Sequence, residues 1–365
     1  MGLRNHYYDL LSVLGIIIGR NPLCGPRIAQ LNISDECNLD CVMCNRSCFD
    51  IKGFMDYETI LAVIDQLYAL GLREVFFHGY GEPFLHPRIT DIFECVSRKF
   101  PHLKQHVITN GTSISKEMIS IIKTNQVKLR FSIHAGDEQT WGKIHPHDDP
   151  SLFGKIRDTL LALNEDRSRA EILYVLLKTN FRNIEAMLRL ARDTGVKKIL
   201  FRPMRFFEDR QGRIMNKGIQ LDRERFESVR EKLRLLEREH AEDLTIDITP
   251  FHECTYDSIM GRPSSLGFYL HNSCYIGWLL TLILSDGHVL GCLEESFDGF
   301  MGNIHETSFR QIWWSEKYSA FRKCQLLQDK RALDRSACHS WCQHLRLNKR
   351  INQLKRFNVS SILRR

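Results

Sequence analysis

From Ile28 to Phe201 this 365-residue chain alternates short β-branched and aromatic runs with segments of helical period. Ile28–Ile33, Glu74–Phe77, His106–Thr109, Leu129–His134, Ile172–Leu177 and Lys198–Phe201 read as strands. Tyr57–Leu70, Pro87–Phe100, Lys116–Lys123, Ser151–Leu163 and Ile184–Thr194 read as the helices between them. In the first of these Ile60, Leu61, Ile64 and Leu67 line one face. Such a repeat folds as parallel strands with right-handed crossovers, closed into a barrel or left as an open sheet. Leu221–Asp243 follows as a long helix with interleaved opposite charges, a solvated bridging element.

Composition narrows the function classes. Hydrophobic residues are 43% and charged residues 26%, as in ordinary globular proteins. The longest apolar runs, Leu10–Ile18 and Ile276–Leu284, are far short of the roughly 20 residues a spanning helix needs. No signal-peptide pattern is present, so a cytoplasmic location is expected. The net charge is +7, and Arg346–Arg365 alone carries seven basic and no acidic residues. The remaining body is therefore balanced, which disfavours nucleic acid as the partner of the whole chain.

The twelve cysteines fall mainly into two groups. Cys37, Cys41 and Cys44 have the spacing Cys-x3-Cys-x2-Cys and follow the first strand. Three thiolates on a 4Fe–4S cube leave one iron open to a ligand. A zinc site completed by Cys48 is the alternative. In the second group, Cys274 and Cys292 flank Ser285-Asp286-Gly287-His288, a hairpin signal, and Cys338 and Cys342 lie downstream. Four such thiolates suit a second 4Fe–4S cube or a zinc ion.

The first cysteine pattern, at the end of a first barrel strand, resembles that of radical S-adenosylmethionine (SAM) enzymes. The resemblance implies a six-stranded partial (β/α)6 barrel, with an open iron that chelates S-adenosyl-L-methionine. Reductive cleavage there yields a 5′-deoxyadenosyl radical that takes a hydrogen atom from substrate, with electrons from a donor such as flavodoxin or ferredoxin. The second pattern, with Gly-Asn-Ile at 302–304 and a Trp-containing segment after it, is similar to the twitch or SPASM-like domain, a small α+β unit. It implies one auxiliary 4Fe–4S cluster held by Cys274, Cys292, Cys338 and Cys342. The expected organisation is a helical extension over 1–26, the barrel over 27–243, linker and cluster domain over 244–345, and a basic tail over 346–365.

Cofactor contacts are expected along the strand ends. In His78-Gly79-Tyr80-Gly81-Glu82-Pro83 the glycines permit close backbone approach and the acid can accept from an ammonium. The family's Gly-Gly-Glu motif matches Gly81-Glu82, with Tyr80 inserted after Gly79. Asn110, Ser132 and Lys178 end later strands and are further candidates. His134 stands where related enzymes carry an acid, and can exchange a proton or serve structurally. Cys254, between the two domains, is a candidate hydrogen-atom donor, or a packing thiol. Glu294 follows Cys292 as a candidate base, or a plain loop acid.

These readings imply oxidation or crosslinking of a peptide or of a small polar substrate such as a sugar or aminocyclitol. Epimerisation through Cys254, a nucleic-acid-modifying enzyme and a non-catalytic iron–sulfur scaffold are the alternatives. The oligomeric state is open.

Overall fold

The computed structural model describes residues 3–18, 21–44, 46, 53–165, 168–204, 218–257, 272–292, 299–327, 342 and 344–362, with side chains to residue 353. Six parallel strands form as expected: β1 (Ile28–Asn32), β2 (Glu74–His78), β3 (Lys104–Thr109), β4 (Lys128–Ser132), β5 (Ala170–Leu176) and β6 (Lys198–Pro203). The crossovers carry α2 (Tyr57–Ala69), α3 (Ile89–Lys99), α4 (Lys116–Thr124), α5 (Glu138–Ile144), α6 (Leu152–Asn164) and α7 (Ile184–Asp193). Side-chain caps fix where several helices start. Asp56 accepts from Thr59 N, and Ser115 from Met118 N.

Alternation along each strand sorts the two faces of the sheet. Leu31, Val75, Phe77, Val107, Phe131, Ile172 and Ile199 are buried in the core. The intervening residues are mostly half-buried; Phe76, Ile108 and Leu173 among them are apolar, and Gln30, His78, His106, Arg130, Glu171 and Arg202 are polar. They pair across neighbouring strands. Arg130 Nε donates to Glu171 at 2.6 Å, Lys198 meets Glu171 at 3.0 Å, and Arg202 meets Asp247 at 3.1 Å. This face of the sheet thus mixes apolar side chains with paired charges.

The sheet is larger than the six-strand reading. Thr245–Asp247, expected in the linker, forms β7, parallel to β6. It follows α8 (Arg223–Glu239) and precedes the short helix α9 (Thr249–Glu253). At the opposite edge, β8 (Leu280–Ile283) runs parallel to β1, with Ile28 opposite Leu280 and Leu31 opposite Ile283. β8 turns through Asp286-Gly287 into antiparallel β9 (His288–Leu290), and β10 (Gly302–Asn303) pairs with β9. Gly287 has φ +85°, the left-handed geometry that favours glycine in such a turn. The described strands form one ten-stranded sheet in the order β10-β9-β8-β1-β2-β3-β4-β5-β6-β7. The C-terminal hairpin is therefore built onto the barrel and not appended to it.

Large aromatics hold this junction. Trp313 is buried and donates from Nε1 to the Cys24 carbonyl at 3.0 Å, and Trp314 donates to Pro22 O at 3.0 Å. The Arg322 guanidinium lies 4.3 Å from the Trp313 ring centre and 4.1 Å from that of Tyr318, and it donates to Gly277 O and Trp313 O at 2.8 Å each. At the N-terminus lies α1 (Leu3–Ile18). The C-terminal helix runs over Leu345–Ile362. No helix of the described residues is long and apolar enough to cross a membrane.

Candidate active site

β1 delivers the chain to the first cysteine group. Beyond Asn32 the backbone stays extended, held by Asp35 N to Gly53 O at 2.9 Å and Ile33 N to His78 O at 3.0 Å. Asn32 Nδ2 donates to Asp35 Oδ1 at 2.7 Å. A turn then closes Cys44 N onto Cys41 O at 2.9 Å, and Val42 N is held by Ile144 O at 2.9 Å. Cys37 and Cys41 are half-buried and Cys44 is exposed. Burial pushes the Cys41 thiol up to about 12, with the Cys44 and Cys37 sulfurs adding to the shift. Burial raises Cys37 as well.

The two glycines have a task that the spacing alone did not show. A Cβ on Gly79 would strike Ser34 O and the Asn32 side chain, and one on Gly81 would strike Glu36 O. Their backbone lies flat on the segment leading to Cys37, with Gly81 N bonded to Ser34 O at 3.0 Å and Glu82 N to Glu36 O at 2.7 Å. The intervening Tyr80 packs with Leu282, Leu284 and Leu290 of the C-terminal hairpin. The residue that interrupts the family motif thus anchors the second domain. Ser285, at the hairpin turn, donates to Asp35 Oδ2, two residues before Cys37.

Glu82 is buried and faces three protein donors. Thr109 Oγ1 and Phe84 N donate to Oε1 at 2.7 and 3.0 Å, and Asn110 N donates to Oε2 at 2.6 Å. Burial pushes its carboxyl up to about 7, and the three donors pull the other way. Its side chain therefore joins the ends of β2 and β3. Asn110 in turn donates to Asn38 Oδ1 at 3.0 Å and reaches Cys37 Sγ at 3.9 Å.

The other candidates lie at the same end of the sheet but differ in access. Ser132 is half-buried, with no hydrogen bond to its hydroxyl from the described residues. Lys178 is exposed, and its charge acts on Asp222. His134 is buried at φ +62°; its Nδ1 accepts from Val175 N at 3.0 Å and its carbonyl accepts from Asn180 at 2.8 Å. That imidazole holds the end of β4 to β5. Cys254, after α9, is buried against the barrel core. Glu294 and Cys338 lie outside the described residues. Sequence reasoning missed His145. It donates from Nε2 to Ile133 O at 3.0 Å, leaving Nδ1 3.0 Å from Cys41 Sγ. No local motif marks it, because α5 brings it in across a loop.

The described cysteines of the second group, Cys274, Cys292 and Cys342, gather on the other side of the junction. Cys274 packs against Cys342 and Leu345, and also in the nest of Cys292, Ile276, Leu280 and Ile28. Buried Asn348 donates to Cys274 Sγ at 3.5 Å and accepts from Tyr275 N at 2.7 Å. Ile28 and Leu280 begin their strands, so this group sits at the end of β1 opposite Cys37.

Both sulfur groups suit iron–sulfur clusters in chemistry and placement. Soft thiols on short loops are the right donors, and metal binding would relieve raised thiols of their protons. Cys48, the fourth ligand of the alternative zinc site, lies outside the described residues. The fold thus places three thiols beyond the C-terminal end of β1 and a thiol-bearing hairpin beside the same strand.

The Radical SAM superfamily profile matches residues 31–201, and the iron-sulfur cluster-binding domain SPASM matches residues 274–344. The chain thus carries a radical SAM domain and a SPASM-type iron-sulfur cluster-binding domain. Its cofactors are accordingly a 4Fe–4S cluster, an auxiliary iron–sulfur cluster and S-adenosylmethionine. A probable GTP 3′,8-cyclase of Methanosarcina acetivorans is 27% identical over 47% of this chain and 52% of that protein. A tungsten-containing aldehyde ferredoxin oxidoreductase cofactor-modifying protein of Pyrococcus furiosus is 24% identical over 80% of this chain and 82% of that protein. The antilisterial bacteriocin subtilosin biosynthesis protein AlbA of Bacillus subtilis is 25% identical over 53% and 46%. The chain thus spans about half the length of the first and third of these relatives. In fold it is similar to Streptococcus suis SuiB bound to S-adenosylmethionine, with TM-score 0.65, 15% identity, and 82% and 68% of the two chains covered. SuiB has also been solved with its precursor peptide SuiA, and that structure matches with TM-score 0.61 and 14% identity over 85% and 70% of the two chains.

Proposed function

We propose that this enzyme oxidises or crosslinks a peptide, with the auxiliary cluster taking the second electron. When bound, the catalytic cluster and S-adenosylmethionine supply a 5′-deoxyadenosyl radical. Cys37, Cys41 and Cys44 would hold that cluster; Cys274, Cys292, Cys338 and Cys342 would hold the other. Gly79, Gly81, Asn110, Ser132 and Lys178 are the proposed cofactor contacts. Glu82 supports Asn110 from behind.

The observation that carries this reading is the placement of the two thiol groups at opposite ends of one strand. β1 links them, and its five residues rise roughly 15 Å. A group at the far end of β1 suits electron transfer better than contact with a substrate at the barrel mouth. The paired charges on the half-buried face of the sheet suit a hydrogen-bonding chain such as a peptide. A bacteriocin-biosynthesis relative and a peptide-bound structural relative favour peptide over sugar or aminocyclitol.

The test is anaerobic turnover with S-adenosylmethionine, a reductant and a panel of candidate peptides, followed by product mass. Oxidation or crosslinking lowers peptide mass by about 2 Da for each two-electron event. A peptide mass unchanged in H2O and raised by about 1 Da in D2O would instead support epimerisation, and loss of that outcome in Cys254→Ala would assign the donor. S-adenosylmethionine cleavage with no peptide altered would sink the peptide reading.

A further inference from the structure

α1 is docked the wrong way round for an ordinary amphipathic helix. Its polar residues face the body of the protein. Arg4 donates to Tyr68 O, Tyr8 Oη donates to Ala69 O at 2.9 Å, Asp9 pairs with Arg27 at 2.8 Å, and Ser12 Oγ lies 3.2 Å from Cys24 Sγ. Asn5 and Ser12 are buried. Its large apolar residues point outward. Leu3, Tyr7, Leu10, Leu14 and Ile17 repeat at alternating steps of four and three, and Val13 and Ile18 flank them. These seven side chains are 37% to 90% exposed. The one other exposed residue of the helix is His6.

At about 100° per residue the exposed positions fall within an arc of roughly 140°. Their exposed surface is roughly 700 Å², above the 300–600 Å² of the largest patch on a typical monomer. Steps of four and three define a helix-to-helix seam. The seam is also self-complementary. Leu3 and Ile17 each lie seven residues from Leu10, so a two-fold axis at Leu10 sets Leu3 of one copy against Ile17 of the other. Two copies would cover up to roughly 1,400 Å², inside the range of stable protein interfaces. A helix lying on a lipid surface has a basic polar face turned to the headgroups. Here the polar face is spent on the protein and carries one Asp and one Arg.

We infer that α1 is the dimerisation surface of this enzyme, pairing antiparallel with α1 of a second copy about a two-fold axis at Leu10. The test is sedimentation equilibrium of the cluster-loaded protein under anaerobic conditions. The wild type is expected at twice the chain mass, and Leu10→Glu and Leu10→Lys each at the monomer mass with unchanged iron content and helicity. Mixing the two variants should restore the dimer, because the axis sets Glu against Lys. That rescue separates loss of the interface from loss of folding. A monomeric wild type, or variants that remain dimeric, would overturn the inference. Failure of the mixture to dimerise would overturn the pairing at Leu10. A monomeric wild type that floats with phosphatidylcholine–phosphatidylglycerol vesicles would assign the face to lipid instead.

Discussion

Gly81→Ala is the sharpest test of how the cluster loop is seated. The added Cβ would lie 2.5 Å from the Asp35 carbonyl carbon, 2.6 Å from that of Glu36, and closer still to Glu36 O. Backbone lies on both sides, so no side-chain rotation relieves the clash. To clear it, the strip must part from residues 34–36 by more than a methyl contact allows. That stretches the Gly81 N to Ser34 O and Glu82 N to Glu36 O bonds. Two hydrogen bonds at about 1 kcal/mol each and an overpacking term of about 1–3 kcal/mol give a local loss of roughly 3–5 kcal/mol. The displaced residues run directly into Cys37. The expected outcome is a protein that keeps its auxiliary iron and loses most of the catalytic cluster, with iron falling toward half of the wild-type value after anaerobic reconstitution. S-adenosylmethionine binding should fall in parallel. Gly154→Ala is the matched control. It makes the same chemical change in α6 with nothing within 4 Å of the new Cβ, and should be neutral or stabilise by up to about 1 kcal/mol. Full iron content and unaltered S-adenosylmethionine affinity in Gly81→Ala would refute the account of the glycines.

Glu82→Gln keeps shape but turns an amide NH2 toward one of the three donors, most easily Asn110 N; an unsatisfied buried amide costs about 1–3 kcal/mol, so urea unfolding should show a stability loss of that size, and unchanged stability would contradict the three-donor site. Cys274→Ala with Cys292→Ala should remove about four irons and leave the other cluster spectroscopically intact, with S-adenosylmethionine still cleaved but oxidised product lost; unaltered product formation would exclude the auxiliary cluster as electron acceptor. Burial raises the Asp247 carboxyl, yet the Arg202 guanidinium overrides it and leaves the group lowered to about 2. A depressed carboxylate contributes stability above its unfolded value that is lost as pH falls through the folded one, so this contribution of about 2 kcal/mol should be roughly half gone by pH 3. Urea unfolding of Asp247→Asn at pH 7 and pH 3 should show a correspondingly smaller acid-side loss than wild type, and an equal loss in both proteins would contradict the pairing.

The parts legible in the sequence were those set by local pattern. β1 to β6 fall within two residues of their apolar runs, because period and punctuation are properties of the segment itself. Asp286-Gly287 forms the expected turn because few other geometries suit it. β7 was hidden because three residues carry no period, and it is a strand only because β6 lies beside it. β8 reads as a hairpin strand from sequence, but its parallel pairing with β1 is a long-range fact that no local pattern encodes. α5 was missed because its seven residues follow a loop and bury little beyond Trp141 and Ile144. The candidate site shows the same division. Cys37, Cys41 and Cys44 are legible by spacing, whereas His145 comes to Cys41 from 104 residues away.

The departure from the family motif carries the most information about how the two domains work together. Tyr80 looks like a defect in a cofactor-binding turn when read along the chain. In the fold it packs on the hairpin that bears Cys274 and Cys292 at its base, while Ser285 at the hairpin turn bonds Asp35. The catalytic loop and the auxiliary domain thus share two contacts at one end of β1 and β8, and the ladder between those strands joins their other ends. A displacement of the hairpin would pull on Asp35 and Tyr80 together, and both lie within two residues of groups that position Cys37 or Glu82. The auxiliary domain is therefore part of what holds the catalytic loop in place, and its removal would disturb the first cluster even though it supplies none of that cluster's thiols.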